Sequence, residues 1–289
     1  SEMCIRDRHT FICDDPASPI DFKHLCENEN LNLDVNEKRL SPTFSILIMA
    51  TSIPFEENQD KLSPNRNIAP LTAELDSQQR LLIGGCSISD LADKYGTPLY
   101  VLDEFTIRQA CQEYRESLKK YYSGKSLPLY ASKANSSLAI STLVASENLG
   151  IDVVSEGELL TALRGGVPKD KIVLHGNNKS KEELILGYKN EVTIVVDNQH
   201  DIDRLAELVT PSKNQAQASL MLRFTHGIEC HTHEYIRTGH LDSKFGFDPD
   251  ELLEIFMQLK DCDWAELIGL HAHIGSQIFE LQPHKDLVD

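Results

Sequence analysis

The sequence predicts an α/β fold whose parallel strands curl into a (β/α)8 barrel of the TIM type, and three observations carry that prediction. From about residue 80 onward, short apolar runs alternate with helix-period stretches, the pattern of parallel βαβ units. Helix-start signals follow two of these runs closely: Ser155 with Glu158, and Ser180 with Glu183, have capping-box spacing. On strand after strand, one face is aliphatic and the other turns polar at the carboxyl end, where barrel enzymes build their sites. A doubly wound open sheet is the alternative, but it would not bring so many strand ends together.

The first 64 residues differ from the rest. They show no sustained period of 2 or 3.6, and the chain begins with Ser1. Met49 opens "MATSIPFEENQDKLSPN", which reads as a native amino terminus with a polar, Pro-containing leader. Residues 1–64 are therefore expected to be disordered or a non-native extension, with 1–48 lying upstream of the native start and lacking a fold of their own. Residues 65–104 form a segment leading into the barrel and end in the apolar run "TPLYVLDE". Residues 105–289 form the barrel domain.

Within that domain the strand candidates are "LPLYASK" (127–133), "GIDVVS" (150–155), "KIVLHG" (171–176), "VTIVVDN" (192–198), "SLMLRFT" (219–225) and "LIGLHAHIGS" (267–276). A helix is expected to begin at Asn135, directly after the first of them. Successive strand side chains alternate faces. By that parity Ile172 and Leu174 oppose Val173 and His175, while Ile194 and Val196 oppose Thr193, Val195 and Asp197. Leu220, Leu222 and Phe224 oppose Met221 and Arg223. Ile268, Leu270, Ala272 and Ile274 oppose Gly269, His271 and His273. Helices should cover the aliphatic face, so that Lys133, Asp152, His175, Asp197, Arg223 and His273 converge at the barrel mouth. An eight-stranded barrel needs two strands more than these six, so the sequence reads as truncated after about six strands.

Composition narrows the function. Lys and Arg total 28 against 45 Asp and Glu, a net charge of −17. So acidic a surface repels phosphate backbones and anionic lipid, which argues against nucleic-acid or membrane partners. The longest apolar run near the start, "FSILIMA" (44–50), is too short to span a bilayer. The seven cysteines (4, 13, 26, 86, 111, 230, 262) form no C-x-x-C pair and read as free thiols of a cytoplasmic protein.

Lys133 poses the chemical question. A lysine at the inner end of a strand is either a salt-bridge partner or a nucleophilic amine. Partial desolvation in a barrel mouth would depress its pKa and free the lone pair to attack a carbonyl. Nearby arginine and histidines would suit an anionic, aromatic cofactor.

Six stretches, "YASKAN", "DVVSEGEL", "LHGNNKS", "VDN", "HTHEYIRTGHLDSKFGF" and "GLHAHIGSQI", lie in the order and spacing of a known family. Across roughly residues 65–289 the chain resembles the pyridoxal-phosphate decarboxylases with an alanine-racemase-like barrel, and its fifth stretch resembles the branch acting on diaminopimelate. The resemblance implies a barrel that binds pyridoxal 5'-phosphate, with Lys133 as the catalytic amine bonded to the cofactor's aldehyde. It implies that His273 stacks on the cofactor ring and that Ser276 lies near the phosphate. Asp152, Glu158, His175 and Arg223 line the cofactor site, Lys244 belongs to the substrate pocket, and no metal takes part. The implied reaction is decarboxylation of the small amino acid meso-2,6-diaminopimelate to L-lysine and carbon dioxide, by a homodimer when full length. The family's Gly-rich phosphate loop, the carboxylate facing the pyridine nitrogen and the carboxyl-terminal β-domain have no counterpart in residues 1–289, so the fragment itself is expected to be inactive.

Two competing readings remain at this stage. Arginine or ornithine could be the substrate of the same chemistry. Alternatively, His271-x-His273 could ligate a divalent ion in a barrel hydrolase, with Cys230, His231, His233 and His240 adding ligands, although such enzymes carry H-x-H on their first strand.

Overall fold

The computed structural model describes residues 9–13, 44–49, 69–209, 216–225 and 245–275, together with positions 282, 285 and 287. The chain divides into two compact units, residues 1–128 with 137–147, and residues 129–136 with 148–289.

In the first unit, β1 (His9–Cys13) pairs antiparallel with β2 (Phe44–Met49). Both strands fall in the segment expected to lack a fold; most of that segment lies outside the described residues. A three-stranded antiparallel meander follows, β3 (Glu74–Leu75), β4 (Leu81–Ile83) and β5 (Cys86–Ser87). Ser87 caps α1 (Ile88–Tyr95) by accepting from the Asp90 amide, and Gly96 ends the helix at φ 81°, a left-handed turn that glycine adopts without steric cost. β6 (Leu99–Asp103) runs parallel to β2 and leads into α2 (Glu104–Tyr121). Ile83 and Leu91 centre a small core with Ala73, Cys86, Ile88, Tyr95, Leu99 and Val101 packed around them. α3 (Leu138–Ser146) ends at Glu147, whose carboxylate takes Arg108 Nη1 of α2 at 2.6 Å.

The second unit is the one that builds a site. Its elements are β7 (Leu129–Ala131), β8 (Gly150–Val153), α4 (Glu156–Arg164), β9 (Ile172–Leu174), α5 (Lys181–Lys189), β10 (Thr193–Val196), α6 (Gln199–Leu208), β11 (Ala218–Arg223), α7 (Leu252–Lys260) and β12 (Ala265–His271). All six strands are parallel, and each pairs with the next in sequence, giving the order β12-β11-β10-β9-β8-β7. A doubly wound sheet reverses direction at a switch point. This sheet never reverses, so it winds as barrel strands wind.

Register explains the core. Ile151 pairs with Ile172, Val153 with Leu174, Leu174 with Ile194, Ile194 with Leu220, and Val196 with Leu222. These side chains therefore form a ladder on one face, and all are buried. Leu159 of α4, Leu184 of α5 and Ile202 and Leu205 of α6 are buried as well, one stripe per helix, as the helix period in the sequence requires. The helix α5 comes close enough that a Cβ at Gly187 would meet Leu174 Cδ2 at 2.9 Å and Ile194 Cδ1 at 3.3 Å. Among the described residues, no helix is long and apolar enough to cross a membrane.

Two local expectations are corrected. No helix starts at Asn135: a 3-10 turn, Ser132–Ala134, follows β7, Asn135 is extended, and α3 begins at Leu138. Ser137 takes the N-cap position of α3 instead, a place serine suits as well as asparagine does. On β12 the strict alternation also breaks. Leu220 pairs with Leu267, but Met221 pairs with Gly269, leaving Ile268 as the extra residue of a bulge. A bulge shifts the side-chain phase by one residue. Leu267, not Ile268, thus faces the same side as Leu220, and Ile268 and Leu270 are 51% and 55% exposed. Beyond the bulge Gly269 and His271 keep the polar face that parity assigned them.

The close approach of α5 yields a paired test. Gly187→Ile should lower stability by about 1–3 kcal/mol through overpacking, whereas Gly157→Ala in α4, where a Cβ meets nothing within 4 Å, should be neutral or stabilising by about 0.5 kcal/mol. Urea midpoints for the two variants check both signs.

Candidate functional site

The carboxyl ends of β7 to β12 carry the chemistry. Lys133 sits in the turn directly after β7, and its side chain is exposed. This corrects the expectation of a partly desolvated amine: the short turn carries the residue past the strand end instead of leaving it on the strand. Ser132 beside it is buried, and its hydroxyl donates to Glu158 Oε2 at 2.6 Å. Glu158 stands in the first turn of α4. Its backbone amide donates to Ser155 Oγ at 3.3 Å, so the first half of the capping box forms. The second half does not, because the Glu158 carboxylate instead accepts the Val154 amide at 2.7 Å along with Ser132. At Ser180 and Glu183 both halves are present.

Asp152 pairs with Ala131 of β7 and with Val173 of β9 on the polar face. Burial pushes its carboxyl up to about 6, and the neighbouring Glu158 adds to that rise, while the positive charges of Lys133 and Arg223 oppose it.

Arg223 closes β11 and is 3% exposed. Its Nη1 lies 2.9 Å from Asp197 Oδ1 and 3.2 Å from His175 Nε2. Burial pushes Asp197 up and Arg223 down, and each charge counters the other's shift; since a guanidinium keeps its proton, the two form a buried ion pair. The backbone amide of Gly246 supports the Asp197 carboxylate. The Phe245 ring lies 4.4 Å from the guanidinium carbon, a cation–π contact. Phe247 donates its amide to the Arg223 carbonyl at 2.8 Å, and Thr225 donates to the Phe247 carbonyl at 2.9 Å. Gly246 has φ 76°, and a Cβ there would meet the Arg223 carbonyl oxygen at 3.0 Å, so glycine is required for this strand-like approach.

Two imidazoles complete the cluster. His175 follows β9 and donates its amide to the Val153 carbonyl at 2.8 Å. Its ring lies 4.6 Å from that of His271, tilted by 41°. Burial lowers His175 to about 3, assisted by His271, Arg223, Lys179 and His273, and lowers His271 to about 4, assisted by Arg223, His273 and Lys179. Both are therefore neutral at physiological pH. Arginine can only donate, so His175 Nε2 accepts from Arg223 and its ring proton belongs on Nδ1. His271 Nδ1 is buried with no hydrogen-bond partner among the described residues. His273, half-buried two residues past β12, lies close enough to act electrostatically on both rings. Among the described residues, no group of three or more His, Cys, Asp or Glu side chains is arranged to hold a metal ion.

The structure thus brings Lys133, Asp152, Glu158, His175, Arg223 and His273 to one end of one sheet. Ser276 and Lys244 lie outside the described residues, as do Cys230, His231, His233 and His240. Sequence reasoning gave no role to Asp197, the anion that anchors Arg223, although parity placed it at the mouth. It treated His271 only as a possible metal ligand. It missed the contribution of Phe245 and Gly246, for which the sequence offers only an unusual glycine between two phenylalanines.

Comparison with known proteins identifies the fold's lineage. The pyridoxal-binding domain of the pyridoxal-dependent decarboxylases matches residues 104–289. The chain belongs to this family. Its decarboxylase relatives include the diaminopimelate decarboxylase of Synechocystis sp., 51% identical over 233 residues, covering 78% of this chain and 49% of that protein. The diaminopimelate decarboxylase of Bacillus subtilis is 42% identical over 213 residues, 72% of this chain and 48% of that protein. Among solved structures, the M. jannaschii diaminopimelate decarboxylase in complex with L-lysine has 34% identity and a TM-score of 0.66, covering 74% of this chain and 50% of that one. The chain spans about half the length of the decarboxylases it matches.

The two neutral histidines set an expected acid response. Their folded pKa values lie below the ordinary 6.5, so their contribution to stability is present above about pH 6.5 and is lost as the pH falls through 4 towards 3. Asp152 acts with opposite sign, since its raised pKa adds relative stability as the pH falls from about 6 to below its ordinary value. His271→Gln should therefore lose less melting temperature than the parent between pH 6.5 and 4, and Asp152→Asn should lose more. Circular-dichroism melts across that range check both directions.

Proposed function

We propose that this chain carries the pyridoxal 5'-phosphate site of a decarboxylase that converts meso-2,6-diaminopimelate to L-lysine and carbon dioxide. The observation that carries the proposal is the convergence of an accessible lysine with a half-buried Asp152, a buried arginine and two neutral imidazoles at the carboxyl end of one parallel sheet, in a chain whose family domain binds pyridoxal. The donor set fits that group. An amine is available for its aldehyde, uncharged imidazoles suit its aromatic face, and the buried Nδ1 of His271, without a hydrogen-bond partner among the described residues, is left to bond a polar group in the site.

In this reading Lys133 would bond the cofactor's aldehyde, and Ser132 and Glu158 hold the turn from which its amine projects. His273, Arg223 and His175 would hold its ring, and Asp152 would balance the local positive charge. Ser276 receives the phosphate and Lys244 contributes to the substrate pocket, as the sequence resemblance implies. Bound there, pyridoxal phosphate supplies the electron sink that accepts the pair left when carbon dioxide departs. The protein's task is to orient the scissile carboxylate, keep water from the site and return Lys133 to its bonded state. High identity to diaminopimelate decarboxylases supports the substrate. The free thiols Cys86, Cys111 and Cys262 suit a cytoplasmic location, and the family resemblance supports a homodimer.

The reading frame encoding this chain, expressed to its own stop codon and supplied with pyridoxal phosphate, should release L-lysine from meso-diaminopimelate. Borohydride reduction and peptide mapping should place the pyridoxyl label on Lys133, and Lys133→Ala should lower kcat by on the order of 10³-fold or more. Preferential turnover of ornithine or arginine would overturn the substrate, and a label on another lysine would overturn the site.

A further inference from the structure

Lys179 belongs to none of the groups assigned above, yet it is 2% exposed and fully surrounded by protein. A buried ammonium persists only where an anion and acceptors replace its lost water. Its Nζ lies 2.6 Å from Asp201 Oδ2 and also donates to the Gly176 carbonyl. The same Asp201 oxygen accepts the backbone N–H of Asp197 at 3.1 Å. Asp197 binds Arg223 through its own Oδ1, and Arg223 Nη1 reaches His175 Nε2. Two buried ion pairs are thus joined through the Asp197 amide in a chain that ends on an imidazole.

Sequence spacing shows what the chain joins. Lys179 stands four residues after His175, in the loop leaving β9, and Asp201 stands four residues after Asp197, in the first turn of α6. Arg204 Nη1 also donates to the Lys179 carbonyl at 2.7 Å, and Asn198 Nδ2 donates to the Asn177 carbonyl at 3.3 Å. The loop bearing His175 and the loop bearing Asp197 are thereby pinned together at several points. An apolar pair in place of Lys179 and Asp201 could fill the same volume, but it could not accept the Asp197 amide.

We propose that Lys179 is a positioning residue: by balancing Asp201 it holds the Asp197 amide, aims the Asp197 carboxylate at Arg223, and so keeps the ring proton of His175 on Nδ1. The relevance to catalysis rests on the cofactor reading, in which Arg223 and His175 border the site; the tautomer itself does not. When Arg223 Nη1 faces Nε2, a proton there would meet a donor with a donor. When Arg223 is released, that constraint ends and Nε2–H becomes available.

The test uses the purified protein with ¹⁵N-labelled histidine, the His175 ring signals being assigned by their loss in His175→Gln. The parent should show His175 as the Nδ1–H tautomer at pH 7. The double variant Lys179→Met with Asp201→Leu, which removes both charges together, should show Nε2–H as a substantial form, a change of at least about tenfold in the tautomer ratio. If that variant does not fold, Asp201→Asn, which keeps an oxygen acceptor but weakens the grip on Lys179, should shift the ratio in the same direction. An Nε2–H parent, or a ratio unchanged in whichever variant folds, overturns the proposal. A borohydride label away from Lys133 would overturn the cofactor reading while leaving the tautomer result in place.

Discussion

The buried ion pair between Arg223 and Asp197 is the interaction on which the site depends. Each residue sits at the carboxyl end of a neighbouring strand, and each is almost fully buried. Removing one member of such a pair costs about 3–5 kcal/mol, because the other is left charged in a poor solvent. The surrounding structure is organised to prevent that. Gly246 supplies an amide to the carboxylate, Phe245 lies against the guanidinium, and the amide of Phe247 satisfies the carbonyl of Arg223. A single residue of backbone freedom, at Gly246, makes all three contacts possible.

From that pair the electrostatics of the cluster follow. Burial opposes a charge on either imidazole, and an arginine that cannot lose its proton, set 3.2 Å from His175, opposes it further. His175 and His271 consequently stay neutral. Asp152, half-buried on β8, is pushed towards its protonated form by the same loss of water, and the charges of Lys133 and Arg223 limit the rise. The site therefore combines uncharged imidazoles with one exposed amine. That combination suits an aromatic aldehyde better than it suits a simple cation, which would need anionic ligands drawn close together.

The parallel strands, the helices between them and the face on which the polar residues cluster were legible from alternation and capping signals alone. Strand parity survived because one face is continuously aliphatic from Ile151 to Leu222, and any slip of one residue would expose it. Where the reading failed, nonlocal contacts decided. The bulge at Ile268 is set by pairing with β11, and the turn at Lys133 is tied through Ser132 to Glu158, 26 residues on. Neither leaves a local sequence period. Asp197 lacked a role because its partner lies 26 residues away, and Lys179 was invisible because a lysine in a polar loop reads as solvated unless its partner is known.

The two capping signals show how local rules yield to the site. Ser180 with Glu183 forms a complete box that starts α5, and the Glu183 carboxylate also accepts the Glu156 amide at 3.2 Å. Ser155 with Glu158 has the same spacing and forms only half of one. The carboxylate that could have closed the box instead holds the Val154 amide and the Ser132 hydroxyl, one residue from Lys133. The lost bond is a weak local one, while the bonds gained join a helix start, the end of β8 and the turn after β7. A helix terminus has thus become the support of the turn that presents the amine, which ties the position of Lys133 to the packing of α4 against the sheet.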